Sequence, residues 1–180
     1  MTNDHLIKIS SFFVVLALFW VATVQGQSSE KNLQFLVQAQ DLVSEVGDTD
    51  VLILHVSADI NNYLEGHIFG ARFLDLNRIA YNGKEVMRDL PIVDSLLVAF
   101  RSVGINDGDR VVLYGDSNGM SASRAFFALD YLGFTSMALL DGGLTAWANS
   151  GGAVSNDAPI ENQQGTLTAF SRPEKFVTAE

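Results

Sequence analysis

The sequence predicts an α/β fold, a parallel sheet flanked by helices on both faces. Three observations carry it: short apolar runs rich in branched residues recur along the chain, helical apolar spacings lie between them, and glycine-containing turns separate the two. At 180 residues and 48% hydrophobic, the chain is long enough for one well-filled core and leaves no room for a second domain of similar size.

The first segment to set aside is the N-terminus. Lys8 precedes an apolar run from Phe12 to Val24, followed by Gln25, Gly26, Gln27, Ser28 and Ser29. That run is shorter than the roughly 20 residues of a spanning helix. Residues 1–26 are therefore expected to be a signal peptide cut after Gly26, with the mature chain exported to the periplasm or cell envelope. An uncleaved leader is the alternative, because Asp4 offsets Lys8, and it is the one route by which this chain would meet a membrane.

Ala39, Leu42, Val43 and Val46 are spaced as one face of a short helix, which Gly47 closes. Val51 to Val56 then reads as a strand buried on both faces. Val93, Leu96, Leu97 and Phe100 mark a helix before Gly104. After the turn Asn106-Asp107-Gly108-Asp109, Val111 to Tyr114 is a second strand. A helix from Ala122 to Leu132 stops at Gly133, and Met137 to Leu140 is the third strand. Asp141-Gly142-Gly143 follows, where Asp141 is expected to cap a helix running toward Trp147 while the glycines permit a tight turn. The folded domain is placed at residues 37–155. Residues 156–180, polar and carrying Pro159, Pro173 and Gln163-Gln164-Gly165, read as a linker or extended arm.

A formal charge of −10 repels nucleic acid and anionic lipid, which excludes a polyanion-binding role. The chain has no cysteine, so disulfides, thiolate metal sites and cysteine-linked lipids are excluded. His5, His55 and His67 are scattered along the sequence and do not form a ligand pattern; no metal or cofactor is expected.

In parallel α/β sheets ligands bind beyond the carboxyl ends of the strands, which singles out the loop after Tyr114. Asp116, Ser117, Asn118, Gly119, Met120, Ser121 and Ala122 could form an anion-binding nest, with Arg124 one turn into the following helix. The favoured reading is that Asp116 fills the nest with its own carboxylate, accepting loop N–H groups and capping the helix, since a fixed negative charge repels an entering anion. Arg124 is expected to pair with a carboxylate or to pack at a domain face.

Several segments in this order resemble the rhodanese, or sulfurtransferase, family: Tyr63-Leu64-Glu65-Gly66-His67-Ile68-Phe69-Gly70-Ala71-Arg72, then Val111-Val112-Leu113-Tyr114, then Leu140-Asp141-Gly142-Gly143 with Trp147. Two further stretches, Ala122-Ser123-Arg124-Ala125-Phe126-Phe127 and the closing Phe170-Ser171-Arg172-Pro173-Glu174-Lys175-Phe176, resemble the non-catalytic N-terminal domain of tandem thiosulfate/3-mercaptopyruvate sulfurtransferases. The resemblance implies a rhodanese-like sheet and a working loop that begins with a nucleophilic cysteine.

Counting back from Leu132-Gly133 puts Asp116 at that cysteine's position. A carboxylate cannot take a sulfane sulfur as a persulfide, so the chain is expected to be inactive alone. Its expected role is a scaffold or binding module, its partner a catalytic rhodanese domain in cis or in trans, or a second copy. The alternative is the front half of an exported two-domain sulfurtransferase whose catalytic domain is missing. A third reading, from another class, is a hydrolase that depends on Asp116, which would need metal ligands the sequence does not offer.

Gly66, His67, Gly70, Asp141, Gly142 and Gly143 are read as structural motif residues, with Gly66 and Gly70 marking a tight turn. His55 stands where the family usually carries an acid. Phe126, Phe127, Leu129 and Tyr131 serve either core packing or a partner surface.

Overall fold

The computed structural model describes residues 35–45, 51–80, 91–161, 163–170 and 172. The expected signal peptide lies outside these residues, as do Val46 and Gly47, which the sequence expects to close the first helix. The chain runs β1 (Leu36–Val37), α1 (Ala39–Glu45), β2 (Val51–Ser57), α2 (Ile60–Glu65), β3 (His67–Ile68), β4 (Arg72–Asp75), a 3-10 turn (Leu76–Arg78), α3 (Val93–Ser102), β5 (Arg110–Gly115), α4 (Met120–Tyr131), β6 (Met137–Leu140), α5 (Gly143–Asn149) and β7 (Val154–Ser155).

Five of these strands form one parallel sheet in the order β1-β6-β5-β2-β4. Side chains alternate across its plane and separate two cores. On one side, Leu52, Leu54, Val56, Val111 and Leu113 pack with Leu96 and Phe100 of α3 and Ala125 and Leu129 of α4. On the other, Ile53, Val112, Tyr114, Ala138 and Leu140 pack with Leu42 of α1 and Trp147 of α5. This is the fold class that the uninterrupted apolar strands predicted, because a strand with helices over both faces buries every residue.

Both α4 and α5 follow a strand directly and begin at a left-handed glycine, Gly119 and Gly142, each with φ of +69°. The short elements β1, α2, β3, β4 and β7 carry too few residues to show a period. Helix α2 is set by its cap instead: the Asp59 carboxylate accepts the Asn61 N–H at 2.9 Å. The expected turn at Gly66 and Gly70 is corrected at its first glycine. Gly66 has φ of 170°, an extended backbone open to any residue. The turn closes at Gly70, φ +80°, where Ala71 N–H donates to Ile68 C=O at 2.9 Å.

The segment after β7, expected as a linker or extended arm, is extended and seated on the domain over residues 163–170 and again at 172. Leu167 is 1% exposed and belongs to the larger core, while Gly165, Leu167, Phe170 and Arg172 donate their N–H groups to Arg101, Ile105, Leu132 and Tyr131 carbonyls. The sequence suggested little docking there because one buried leucine among polar residues leaves no period to read.

Candidate functional site

Strands β5 and β6 end side by side and deliver two glycine-rich turns to the carboxyl edge of the sheet. Between them opens a cavity of about 410 Å³, lined by Leu36, Leu113 to Gly119, Ala122, Ser123 and Leu139 to Thr145. It gathers Asp116, Ser117, Asn118, Gly119, Ala122, Asp141, Gly142 and Gly143, all singled out from the sequence. Met120 points away, 70% exposed, and Arg124 lies outside the lining on α4.

The loop is held by its own residues. Gly119 N–H donates to Asp116 C=O at 3.0 Å, and Met120 N–H donates to the Asn118 side-chain oxygen at 3.0 Å. Beneath them Ser121, 1% exposed, donates its hydroxyl to Asp116 Oδ1 at 2.9 Å. Gly115 is required here, because a Cβ would overlap both Ser121 Oγ and Val56 C=O.

The expectation that Asp116 caps α4 with its carboxylate is corrected. The cap position falls three residues later, on Gly119, which has no side chain to offer, and Asn118 serves Met120; Asp116 accepts the Ser121 hydroxyl instead. The same correction applies to Asp141. Helix α5 is capped at Gly142 without a side-chain hydrogen bond, and the Asp141 carboxylate accepts from Gln38 Nε2 at 3.0 Å, tying β6 to the residue after β1.

Among the described residues, two carboxylates line this cavity and no Lys, Arg or His does. The positive end of α4 favours an anion, but each carboxylate opposes one at short range. Among the described residues, no group of three or more His, Asp or Glu side chains is arranged to hold a metal.

Below the loop lies a buried aromatic cluster that sequence order did not disclose. His55 pairs across the sheet with Tyr114 on β5 and Phe73 on β4. Its ring lies 4.8 Å from Tyr114 and 5.6 Å from Tyr63, and Tyr63 stacks on His67 at 3.6 Å. The two histidines that look scattered in the sequence thus share one site, since β2 and the start of β3 converge on α2.

His67 donates Nδ1–H to the Tyr63 carbonyl at 2.9 Å, which fixes its tautomer. Tyr63 donates its hydroxyl to Ala71 C=O at 2.7 Å, and Tyr114 Oη accepts Ile68 N–H at 2.9 Å. His55 Nδ1 is buried with no hydrogen-bond partner among the described residues. Burial, and secondarily the like charge of His67, lower the His55 pKa to about 4, against a smaller upward pull from Asp116. Burial raises the Tyr114 phenol well above its usual range.

Of the α4 aromatics and their neighbours, Leu129 is fully buried, whereas Phe126 and Tyr131 are half-buried against the larger core. Phe126 also meets Phe35 edge to face at 5.6 Å.

The model of the rhodanese-like domain family matches residues 38–150. The chain is 31% identical over 115 residues to the 3-mercaptopyruvate sulfurtransferase of Escherichia coli K12, covering 64% of this chain and 41% of that protein. It is 32% identical over 150 residues to the putative thiosulfate sulfurtransferase SseB of Mycobacterium tuberculosis, covering 76% of this chain and 51% of the relative. Among solved structures, the 3-mercaptopyruvate sulfotransferase SseA from Escherichia coli superposes with a TM-score of 0.69 at 26% identity, over 78% of this chain and 57% of that one. The chain spans about half or less of the length of these curated relatives.

Proposed function

This chain belongs to the rhodanese-like domain family, and from that premise we propose that it is a non-catalytic member that works by binding. The observation that carries the reading is Asp116, the first residue after β5, in a chain without cysteine. Persulfide chemistry needs a thiolate to attack the sulfane sulfur and a sulfur–sulfur bond to hold it. Asp116 and Ser121 offer a carboxylate and a buried hydroxyl, and neither forms that bond. The proposed partner is a catalytic rhodanese domain, in cis or in trans, or a second copy.

The test is sulfur transfer by the purified chain, with thiosulfate or 3-mercaptopyruvate as donor and cyanide as acceptor. Thiocyanate formation should not exceed the protein-free rate. Turnover above that rate overturns the reading.

A second reading is favoured by one comparison, the coverage of 41% and 51% of two relatives named as sulfurtransferases. On this reading the domain is the front half of an exported tandem enzyme, and its task is to shape the cleft of a catalytic half. Intact-mass measurement of the protein from its native cell envelope separates the two. A mass matching Gln27 to Glu180 supports the binding module together with export and leader removal. About twice that mass supports the tandem enzyme, and an intact residue 1 in the envelope fraction supports a retained leader.

A further inference from the structure

The arm at residues 163–170 and 172 meets the domain as a separate peptide would. Its contacts lie far back in sequence, on the turn between α3 and β5 and the turn between α4 and β6. Thr166 donates both N–H and hydroxyl to Asn106 Oδ1 at 3.0 Å. Thr168 donates N–H to Asp107 Oδ1 at 2.7 Å and its hydroxyl to Asp107 Oδ2 at 2.9 Å. Arg101 Nε donates to Leu167 C=O at 2.8 Å, and main-chain bonds complete the register.

The seat also reads sequence. Leu167 fills a place in the larger core, and Gly165 passes so close to Ile105 C=O and Gly104 that a Cβ would overlap them. The groove therefore recognises an extended Gly-x-Leu segment flanked by hydroxyls.

The connection to this arm is weakly fixed by comparison. Residues 156–161 are all exposed, and among the described residues their hydrogen bonds are confined to the turn joining Ser155 and Asp157. Nothing in the seat requires that the arm come from the same chain.

We propose that the groove between the α3–β5 and α4–β6 turns is a docking site for the arm of a second copy, so that two chains pair by exchanging the arm that begins at Gln163. Every bond of the seat is then remade across the pair, and only the exposed connector changes course. Such an exchange is reciprocal and closes as a two-fold dimer. It competes with the chain's own arm, whose effective concentration on a short tether is about 1 mM, so exchange is expected where chains fold at that concentration or where the connector is shortened. The inference holds whether or not the loop at Asp116 transfers sulfur.

The absence of native cysteine makes the test clean. Gly108→Cys places a thiol in open space beside the residue that binds Thr168, and Thr168→Cys keeps the main-chain bond to Asp107. Isotopically heavy and light copies of this double variant are unfolded, mixed, refolded at about 1 mM and at a thousandfold dilution, and treated with a short bismaleimide. Exchange predicts 108–168 cross-links joining heavy to light chains at the high concentration, lost on dilution.

Cross-links confined to single chains at both concentrations overturn the proposal, even if a dimer forms by another surface. Deletion of residues 158–161 gives a second readout. Light scattering should then report a dimer, and a monomer that keeps its arm docked overturns the proposal equally.

Discussion

The loop from Gly115 to Ser123 and the aromatic cluster beneath it are built on the same strand, β5, yet they solve opposite problems. In the loop, Asp116 is exposed and hydrogen-bonded, so its charge is solvated and its partner Ser121 is satisfied. In the cluster, His55 is 4% exposed and keeps a ring nitrogen without a partner among the described residues. The exposed position tolerates a change of chemistry because water compensates it. The buried one couples three elements, and a change there is paid throughout the fold.

The comparison would break first at Tyr114. Tyr114→Ala removes a fully buried ring and orphans the Ile68 N–H on β3. A loss of about 3–5 kcal/mol in chemical denaturation is expected. A loss near that of a surface substitution would mean that the cluster packs loosely and that β3 is held elsewhere.

The second effect is a pH dependence. Because the folded pKa of His55 is about 4, below the value of 6.5 in an unfolded chain, the unfolded state takes up a proton that the folded state refuses. The His55 contribution is complete above pH 6.5, falls as pH drops toward 4, and levels off below that. At roughly 1.4 kcal/mol per unit, the loss is about 3 kcal/mol over this window. Urea denaturation of wild type and His55→Phe at pH 7 and pH 4 measures it. The variant should lose less stability than wild type over the same interval, and parallel losses would reassign the acid sensitivity to other groups.

These two regions also mark what the sequence could disclose. The strand runs at Val51, Val111 and Met137 are long and apolar enough to read directly, and they predict both the parallel sheet and the position of the loop. The loop's hydrogen bonding is not legible in the same way, because Asp116 and Asp141 look like caps from their place before a helix, while a left-handed glycine takes the cap position in each case. The cluster was hidden for a different reason. His55, Tyr63 and His67 belong to three elements, and only the cross-strand register and the placement of α2 bring their rings together. The docking of Leu167 rests likewise on a contact with no local signature.

A smaller effect tests the pin beneath the loop. Ser121→Ala leaves the Asp116 carboxylate to water and removes the hydroxyl that packs against Gly115. A destabilisation of about 1 kcal/mol is expected, the ordinary value of one such hydrogen bond. Amide exchange should quicken at Asp116 to Gly119 and stay unchanged at Val56 and Tyr63. Exchange that quickens at both places would show the loop and the cluster to be one cooperative unit.

The smallest effect belongs to Asp116 itself. Asn at this position keeps an oxygen that can accept the Ser121 hydroxyl, and the site is exposed, so Asp116→Asn should change stability by no more than about 0.5 kcal/mol. What it removes is one of the two charges that face the cavity. If those charges are what keeps anions out, the variant should bind thiosulfate or phosphate measurably better than wild type in a titration followed by amide shifts of residues 115 to 119. Equal, undetectable binding by both proteins would place the barrier in the shape of the loop rather than in the charge of Asp116. A large loss of stability would have the further meaning that Asp116 is held in the fold as firmly as the histidine beneath it, and the contrast between the two regions would fail at its exposed end.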